Sequence, residues 1–299
     1  MMRYGTGMVM VLTAGLLWSF QALMIRQIGE AGSWAVLAWR SLAMVPVLLA
    51  FLAWRGGGSP WPAIRRAGLA GVLGGIGLVA AMGGAILAFQ TTTVANAAFL
   101  LAASPFLAAI LGRLILGEAV APRTWGAIAL ALIGIFLMVR EGLAAGALIG
   151  NVAALVSALG FAAFSVALRW RRIEDSLPAS ILGAAFAVVA GALAAIQLGQ
   201  PLAVPATDLM WCLLMGVVTM SGGMILYTLG GRVVPSAELT LLSNTEVLLA
   251  PFWAWLIMGE TASAATFVGS AVVLAAILFN AYAGVRALAH PRVHMTSGA

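Results

Sequence analysis

The chain writes one stretch twice. Val94–Glu118, VANAAFLLAASPFLAAILGRLILGE, returns as Ser236–Glu260, SAELTLLSNTEVLLAPFWAWLIMGE. Setting Glu118 on Glu260 fixes an offset of 142 residues, and Ala95/Ala237, Leu100/Leu242, Ala108/Ala250 and Thr124/Thr266 fall into register without a gap. At an offset of 143, Gly7, Trp18 and Arg26 fall on Gly150, Phe161 and Arg169. A period this long is too great for a solenoid and implies duplication of a whole bundle. It also retains the first apolar run, Gly7–Met24, as a helix, because a cleaved leader would have no counterpart deep inside the chain.

What is duplicated is apolar. Of 299 residues, 63% are hydrophobic and 8% charged, against roughly 25% charge in soluble domains. A spanning helix needs about 20 largely apolar residues. Ten runs meet that length: 7–27, 33–54, 67–89, 94–115, 123–139, 147–169, 179–198, 209–230, 236–258 and 263–285. Between them lie turn formers such as Arg55-Gly-Gly-Gly-Ser-Pro-Trp-Pro and Ser176-Leu-Pro. The expected fold is all-α and membrane-integral, with a first five-helix repeat over 1–141, a second over 142–286 and a polar tail over 287–299.

The net charge of +6 comes entirely from arginines spread singly between apolar runs, which suits orientation signals rather than nucleic acid. With the N-terminus cytoplasmic, inside loops and ends hold Arg3, Arg55, Arg65, Arg66, Arg113, Arg123, Arg169, Arg171, Arg172, Arg232, Arg286 and Arg292. Outside loops hold Arg26 and Arg140, and Arg40 is left within the second run. Twelve against two places both termini in the cytoplasm. Five helices per repeat is an odd number, so the second copy enters the membrane inverted. Glycines concentrate in the third run, where Gly71 and Gly75 sit at the four-residue spacing that brings helix backbones together.

The two helices ending in Gly-Glu, Ser104-Pro105 in the first copy, Glu246 at the matching place in the second, and Arg40 in Trp39-Arg40-Ser41 resemble the ten-helix EamA-type branch of the drug/metabolite transporter superfamily. The resemblance covers residues 7–285. It implies an inner-membrane exporter of amino acids or related metabolites; other members carry nucleotide sugars or triose phosphates. In the usual family pattern the acid of the second copy is followed by proline, whereas here Val247 follows Glu246 and Pro251 comes later.

Glu246 lies inside an apolar run, where an ionised carboxylate costs a few kcal/mol. It can hold a substrate ammonium, take up a coupling proton, pair with Arg40, or serve as a structural carboxyl between helices. Ser243, Asn244 and Thr245 make this the most polar turn of any apolar run, and Ser243 shares a face with Glu246. By pseudo-symmetry the matching face of the fourth run offers Asn96 and Leu100, with Asn96 able to bind substrate or to cap its helix. Pro105 frees the carbonyl of Leu101. Trp18 and Gln21 share a face of the first run, and Thr219, Gly223 and Tyr227 one of the eighth; the aromatic rings suit an apolar or aromatic side chain. Trp34, Trp54, Trp61, Trp211 and Trp253 read as interfacial anchors. Arg40 reads as a structural counter-ion, Glu118 and Glu260 as helix caps or parts of a gate.

No enzyme site, cofactor or metal is called for. Cys212 has no second thiol, His290 and His294 lie in the tail, and without any lysine there is no P-loop. The expected molecule is a monomeric secondary carrier in the cell inner membrane that moves a small amphipathic solute, with a proton as candidate co-substrate. A sugar-phosphate or nucleotide-sugar carrier and a channel or structural bundle are the competing readings.

Overall fold

The computed structural model describes the backbone of residues 4–144, 147–234, 242 and 245–289, and their side chains except at 123, 139–144 and 280–289. The described residues are helical with no strand. In chain order they form α1 (Tyr4–Ser19), α2 (Gln21–Arg26), α3 (Ser33–Gly56), α4 (Trp61–Thr91), α5 (Val94–Leu101), α6 (Ser104–Leu116), α7 (Pro122–Ala144), α8 (Leu148–Trp170) and α9 (Leu177–Gln197). There follow α10 (Ala206–Leu214), a π-helical segment (Met215–Gly222), α11 (Gly223–Gly230), α12 (Thr245–Met258) and α13 (Ala264–Ala289).

Seven stretches among the described residues are long and apolar enough to cross a bilayer: Tyr4–Arg26, Ser33–Gly56, Trp61–Thr91, Val94–Leu116, Leu148–Trp170, Leu177–Gln197 and Ala206–Gly230. Thr124–Met138, Thr245–Met258 and Ala264–Phe279 are shorter apolar helices. Each falls on one of the ten runs. The third begins earlier than hydropathy suggests: Gly68, at φ 50° and ψ −143°, separates a short lead from the long helix behind it. In that lead Ile64 and Ala67 are buried while Trp61, Arg65 and Arg66 are exposed, an amphipathic pattern fit for a membrane surface.

The Gly-Glu ending now has a physical reason. Gly117 and Gly259 sit at φ 69° and 66°, where a side chain is strained, and end α6 and α12 by turning the chain left-handed. The next N–H then donates back into the helix, Glu118 to Gly112 O and Glu260 to Ala254 O, both at 3.2 Å. The duplicated sequence is thus a duplicated helix stop that points a carboxylate sideways.

Helix packing follows the duplication. With α1–α2 matched to α8, α3 to α9, α4 to the α10–α11 stretch, and α5–α6 to α12, the main contacts come in mirrored pairs. α4 packs on α8 as α1 packs on α11; α4 packs on α9 as α3 packs on α10 and the π segment. The α3–α9 and α7–α13 pairs lie on the pseudo-axis and mirror themselves. The core is built of small side chains, with Ala14, Ala22, Ala35, Ala70, Ala97, Ala154, Ala158 and Ala162 almost inaccessible. That suits helix association in lipid, where close backbone contact supplies the dispersion energy.

Loops collect at two ends of this bundle. At one end Arg26 meets Glu260 and Thr92, Gln90 meets Ala31, and Asp208 binds residues 29–31. At the other, Arg55 pairs with Asp175, and Arg169 with Glu118. The equivalent Glu118 and Glu260 therefore lie at opposite ends.

Candidate substrate site

Irregular backbone marks the helices named as cavity walls. The first membrane stretch bends at Phe20, between Trp18 and Gln21, where α1 gives way to α2. The fourth breaks at Ala102–Ala103, immediately before Ser104-Pro105. The eighth carries the π segment. Membrane proteins tolerate such interruptions where the freed groups are covered by protein or line a cavity. In the π segment Thr219 Oγ1 donates to Met215 O (2.7 Å) and Ser221 Oγ to Gly216 O (2.8 Å), and ahead of α12 Thr245 Oγ1 donates to Leu242 O (2.7 Å).

The candidate residues fall into separate groups. Trp18 and Tyr227 are in contact, ring centroids 5.5 Å apart and tilted by 41°. The Trp18 indole lies over Gly223, where a Cβ would stand 2.2 Å from its Nε1, so the glycine gives the ring its seat. Glu246 is half-buried in the first turn of α12, and no described residue gives it a hydrogen bond or ion pair. The Arg40–Glu246 pairing is not formed. Gln21 is buried with its Oε1 unpartnered. Ser243 and Asn244 lie outside the described residues.

On the fourth stretch the arrangement is drier. Leu100 is fully buried within the main apolar cluster. Asn96 is buried, and its Nδ2 donates to Thr92 Oγ1 at 3.1 Å and to Asn151 Oδ1. The cap of α5 is Thr93, whose hydroxyl accepts from Asn96 N at 3.2 Å. Asn96 thus ties α5 to α8, and its Oδ1 and Asn151 Nδ2 are unpartnered.

Two readings of other residues change. Trp253, expected as an interfacial anchor, donates from Nε1 to Ser19 Oγ (3.0 Å) and stacks on Phe20 at 5.2 Å, bracing the bend of the first stretch from α12. Trp34 packs over Gly83 and against the core, as does Trp211, whereas Trp54 and Trp61 are exposed. Arg40, expected as a counter-ion, is fully buried and has no ion-pair partner among the described residues, where Nε, Nη1 and Nη2 all lack a hydrogen bond.

Glu118 and Glu260 do more than end their own helices. Glu260 Oε2 lies 3.2 Å from Arg26 Nη2, its Oε1 accepts the Val94 N–H at 2.5 Å, and Arg26 donates to Thr92 O at 2.6 Å. Glu118 Oε2 lies 3.5 Å from Arg169 Nη2, which donates to Ala108 O at 2.9 Å. Because Arg26 matches Arg169 and Glu118 matches Glu260, the arginine of each copy binds the acid of the other.

Sequence reading also passed over Asp208. This carboxylate, buried at the start of α10, accepts the N–H groups of Gly29, Glu30 and Ala31 at 3.2, 2.9 and 2.8 Å and pins the first loop to the second copy. A lone acid after Pro205 and Thr207 reads as a helix-start residue, and nothing local reveals that its donors lie far away in the chain. Asn151, likewise a single polar residue in an apolar run, becomes informative only once Asn96 is beside it. An apolar groove of about 520 Å³ between α4 and α8, lined by Trp34, Val79, Leu87, Ile149, Val152 and Val156, offers no polar side chain to a solute.

The model of the EamA-like transporter family matches residues 5–140 and again 148–282. The chain belongs to the EamA-like transporter family. It is accordingly a multi-pass membrane transporter of the drug/metabolite superfamily, with one family unit per repeat. Sixteen chains of solved structures match. One crystal structure superposes with a TM-score of 0.63 at 20% identity, over 93% of this chain and 97% of the other, a likeness that shows the fold. Curated proteins gave no match.

Proposed function

We propose that this EamA-family chain is a secondary carrier that moves amino acids with large apolar or aromatic side chains by alternating access, exporting them across the cell inner membrane. The observation that carries alternating access is the pair of exchanged ion pairs, Arg26–Glu260 and Arg169–Glu118, at opposite ends of a pseudo-symmetric bundle. Each joins the two repeats, so relative motion of the repeats opens one end while the other holds. Exposed or half-exposed pairs of this kind contribute about 0.2–1 kcal/mol, strong enough to bias an end and weak enough to break in each cycle. Helices α1–α2, α4, α5–α6 and their counterparts enclose the path in this reading, α7 and α13 brace it, and a monomer is sufficient.

The substrate class rests on wall chemistry. Trp18 and Tyr227 supply aromatic surface, Gln21 an unpartnered amide oxygen, and Glu246 a carboxylate for an ammonium or a coupling proton; Asn96, Leu100, Ser243 and Asn244 complete the proposed lining. No cluster of arginines is at hand for a phosphate. In this orientation both termini and segment 55–66 face the cytoplasm, and 90–93 and 199–208 face outward.

The deciding measurement is flux into proteoliposomes of purified protein, with and without an imposed pH gradient. Phe and Met are expected to be transported and to compete with each other, and a pH gradient is expected to drive accumulation. Better competition by triose phosphates or nucleotide sugars would overturn the substrate class, and flux far above carrier turnover would mark a channel. Cysteine labelling at position 91 in a Cys212→Ala background should occur from outside.

A further inference from the structure

Arg40 is the largest fully buried side chain among the described residues, and a guanidinium keeps its proton at neutral pH. Burying that charge without a partner costs more than packing alone returns. Yet Nε, Nη1 and Nη2 have no hydrogen-bond partner, and neither has the adjoining buried Ser41 Oγ. The acids that could have answered it are engaged elsewhere or apart. Asp208 is taken by three backbone N–H groups, and Glu246 makes no ion pair among the described residues.

The surroundings are specific. Opposite Arg40 lies the start of the π segment, so close that a Cβ on Gly216 would stand 2.2 Å from the Arg40 carbonyl oxygen. Cys212, one turn before, is buried. A π segment leaves carbonyls out of the regular ladder, and these could have satisfied an arginine. Here the hydroxyls of Thr219 and Ser221 claim the carbonyls of Met215 and Gly216 instead. Helical insertions of this type recur at functional sites. The carbonyls of Met215 and Gly216 are thus taken by their own segment, and the Arg40 guanidinium is left without a partner among the described residues.

We propose that Arg40 is the anion subsite of the carrier and takes the carboxylate of the transported amino acid, an inference that rests on the function proposed above. A planar carboxylate matches the guanidinium fork with two parallel hydrogen bonds. The single positive charge fits a monocarboxylate and not a phosphate dianion. The buried charge of the empty carrier is neutralised only when cargo arrives, which couples occupancy to the stability of the α3–π-segment contact.

The test is thermal unfolding of purified protein with Phe, 3-phenylpropionate or Phe methyl ester, on wild type, Arg40→Gln, Arg40→Lys and Arg40→Met. Phe and 3-phenylpropionate are expected to raise the wild-type melting temperature and the ester to leave it unchanged. Arg40→Gln should weaken apparent Phe binding at least tenfold, and Arg40→Lys should restore part of it. Without ligand, Arg40→Met should melt at or above the wild-type temperature, because it removes an unpaired buried charge. Equal stabilisation by acid and ester, retained Phe binding in Arg40→Gln, or collapse of Arg40→Met without ligand would each overturn the subsite. If neither carboxylate binds, liposome flux separates the two readings. Phe flux that persists removes only the Arg40 role, and absent Phe flux with transport of another solute removes the amino-acid reading as well.

Discussion

α4 meets α8 through bare backbone, whereas its counterpart, the α10–α11 stretch, meets α1 through a mixture of backbone and a tryptophan. In the first seam a Cβ on Gly77 would stand 2.8 Å from Gly160 O, one on Gly160 2.5 Å from Gly77 O, and one on Gly84 2.6 Å from Ala153 O. Ser157 Oγ adds a hydrogen bond to Ala81 O. In the second seam only one end is as tight, where Gly7 and Gly230 face each other; further along, Trp18 fills the gap over Gly223 and the helix loosens into π geometry. Two seams related by duplication have thus diverged into a closed one and one lined by side chains. In the function proposed above, solute would pass beside the seam lined by side chains and not beside the closed one.

The largest effect should come from wedging the tight seam. Gly160→Ala places a methyl group against the α4 backbone, which cannot rotate away, and overpacking of this kind costs about 1–3 kcal/mol. Gly223→Ala meets a tryptophan side chain, which can turn, so its melting temperature should fall less while Phe flux falls more. Melting and liposome flux on the same preparations check both. A Gly223→Ala protein that loses as much stability as Gly160→Ala would show that the seams are equally rigid.

Next in size is the contrast between Ser104 and Glu246, which occupy equivalent positions in the two copies. Only the second copy carries a carboxylate there. Glu246→Gln keeps the shape and removes the charge, and flux should drop at least tenfold, about 1.4 kcal/mol in the limiting step. Stability should hold or rise, since an amide is no harder to bury than an ionised carboxylate. Normal flux would make Glu246 structural, and a matching loss of melting temperature would show that only folding was lost. The reciprocal change, Ser104→Ala, should leave flux within a factor of two or three if the copies differ in role.

These contrasts were unevenly legible in the sequence. The positions of the apolar helices, the duplication and the Gly-Glu stops could be read directly, because span length and the left-handed glycine are local properties. Trp18 and Tyr227 could be named as aromatic wall candidates of the first and eighth runs, but their contact is visible only in the fold. The exchanged pairing of Arg26 and Arg169 could not, since each reads as a loop charge until the fold shows whose acid it meets. Trp253 was misread because an aromatic near a helix end has the same pattern whether it faces lipid or the bend at Phe20. Asn96 and Arg40 show the opposite difficulty: a lone polar residue in an apolar run declares that it matters, but only packing decides whether it is bonded, as Asn96 is, or left open, as Arg40 is.

The smallest effect, and the one that bears most on mechanism, concerns the two ion pairs. The Arg26–Glu260 end is the better bonded: the ion pair is 3.2 Å long, and both partners also bind the start of the fourth stretch, at Thr92 O and Val94 N. At the other end the pair is 3.5 Å long and its side chains are 45% and 38% exposed, against 26% and 20%. Neither should contribute more than about 1 kcal/mol, so neither Arg26→Gln nor Arg169→Gln should disturb folding noticeably. What should change is which side opens. Single cysteines at Tyr227, in a Cys212→Ala background, should be labelled faster from the Glu260 end in Arg26→Gln and from the Glu118 end in Arg169→Gln, with the larger shift in Arg26→Gln. Exchanging the charges, Arg26→Glu with Glu260→Arg, should return labelling toward the starting rate while either change alone does not. Equal labelling from both sides in all variants would reduce the exchanged pairs to surface contacts and leave the asymmetry of the two seams without a role in transport.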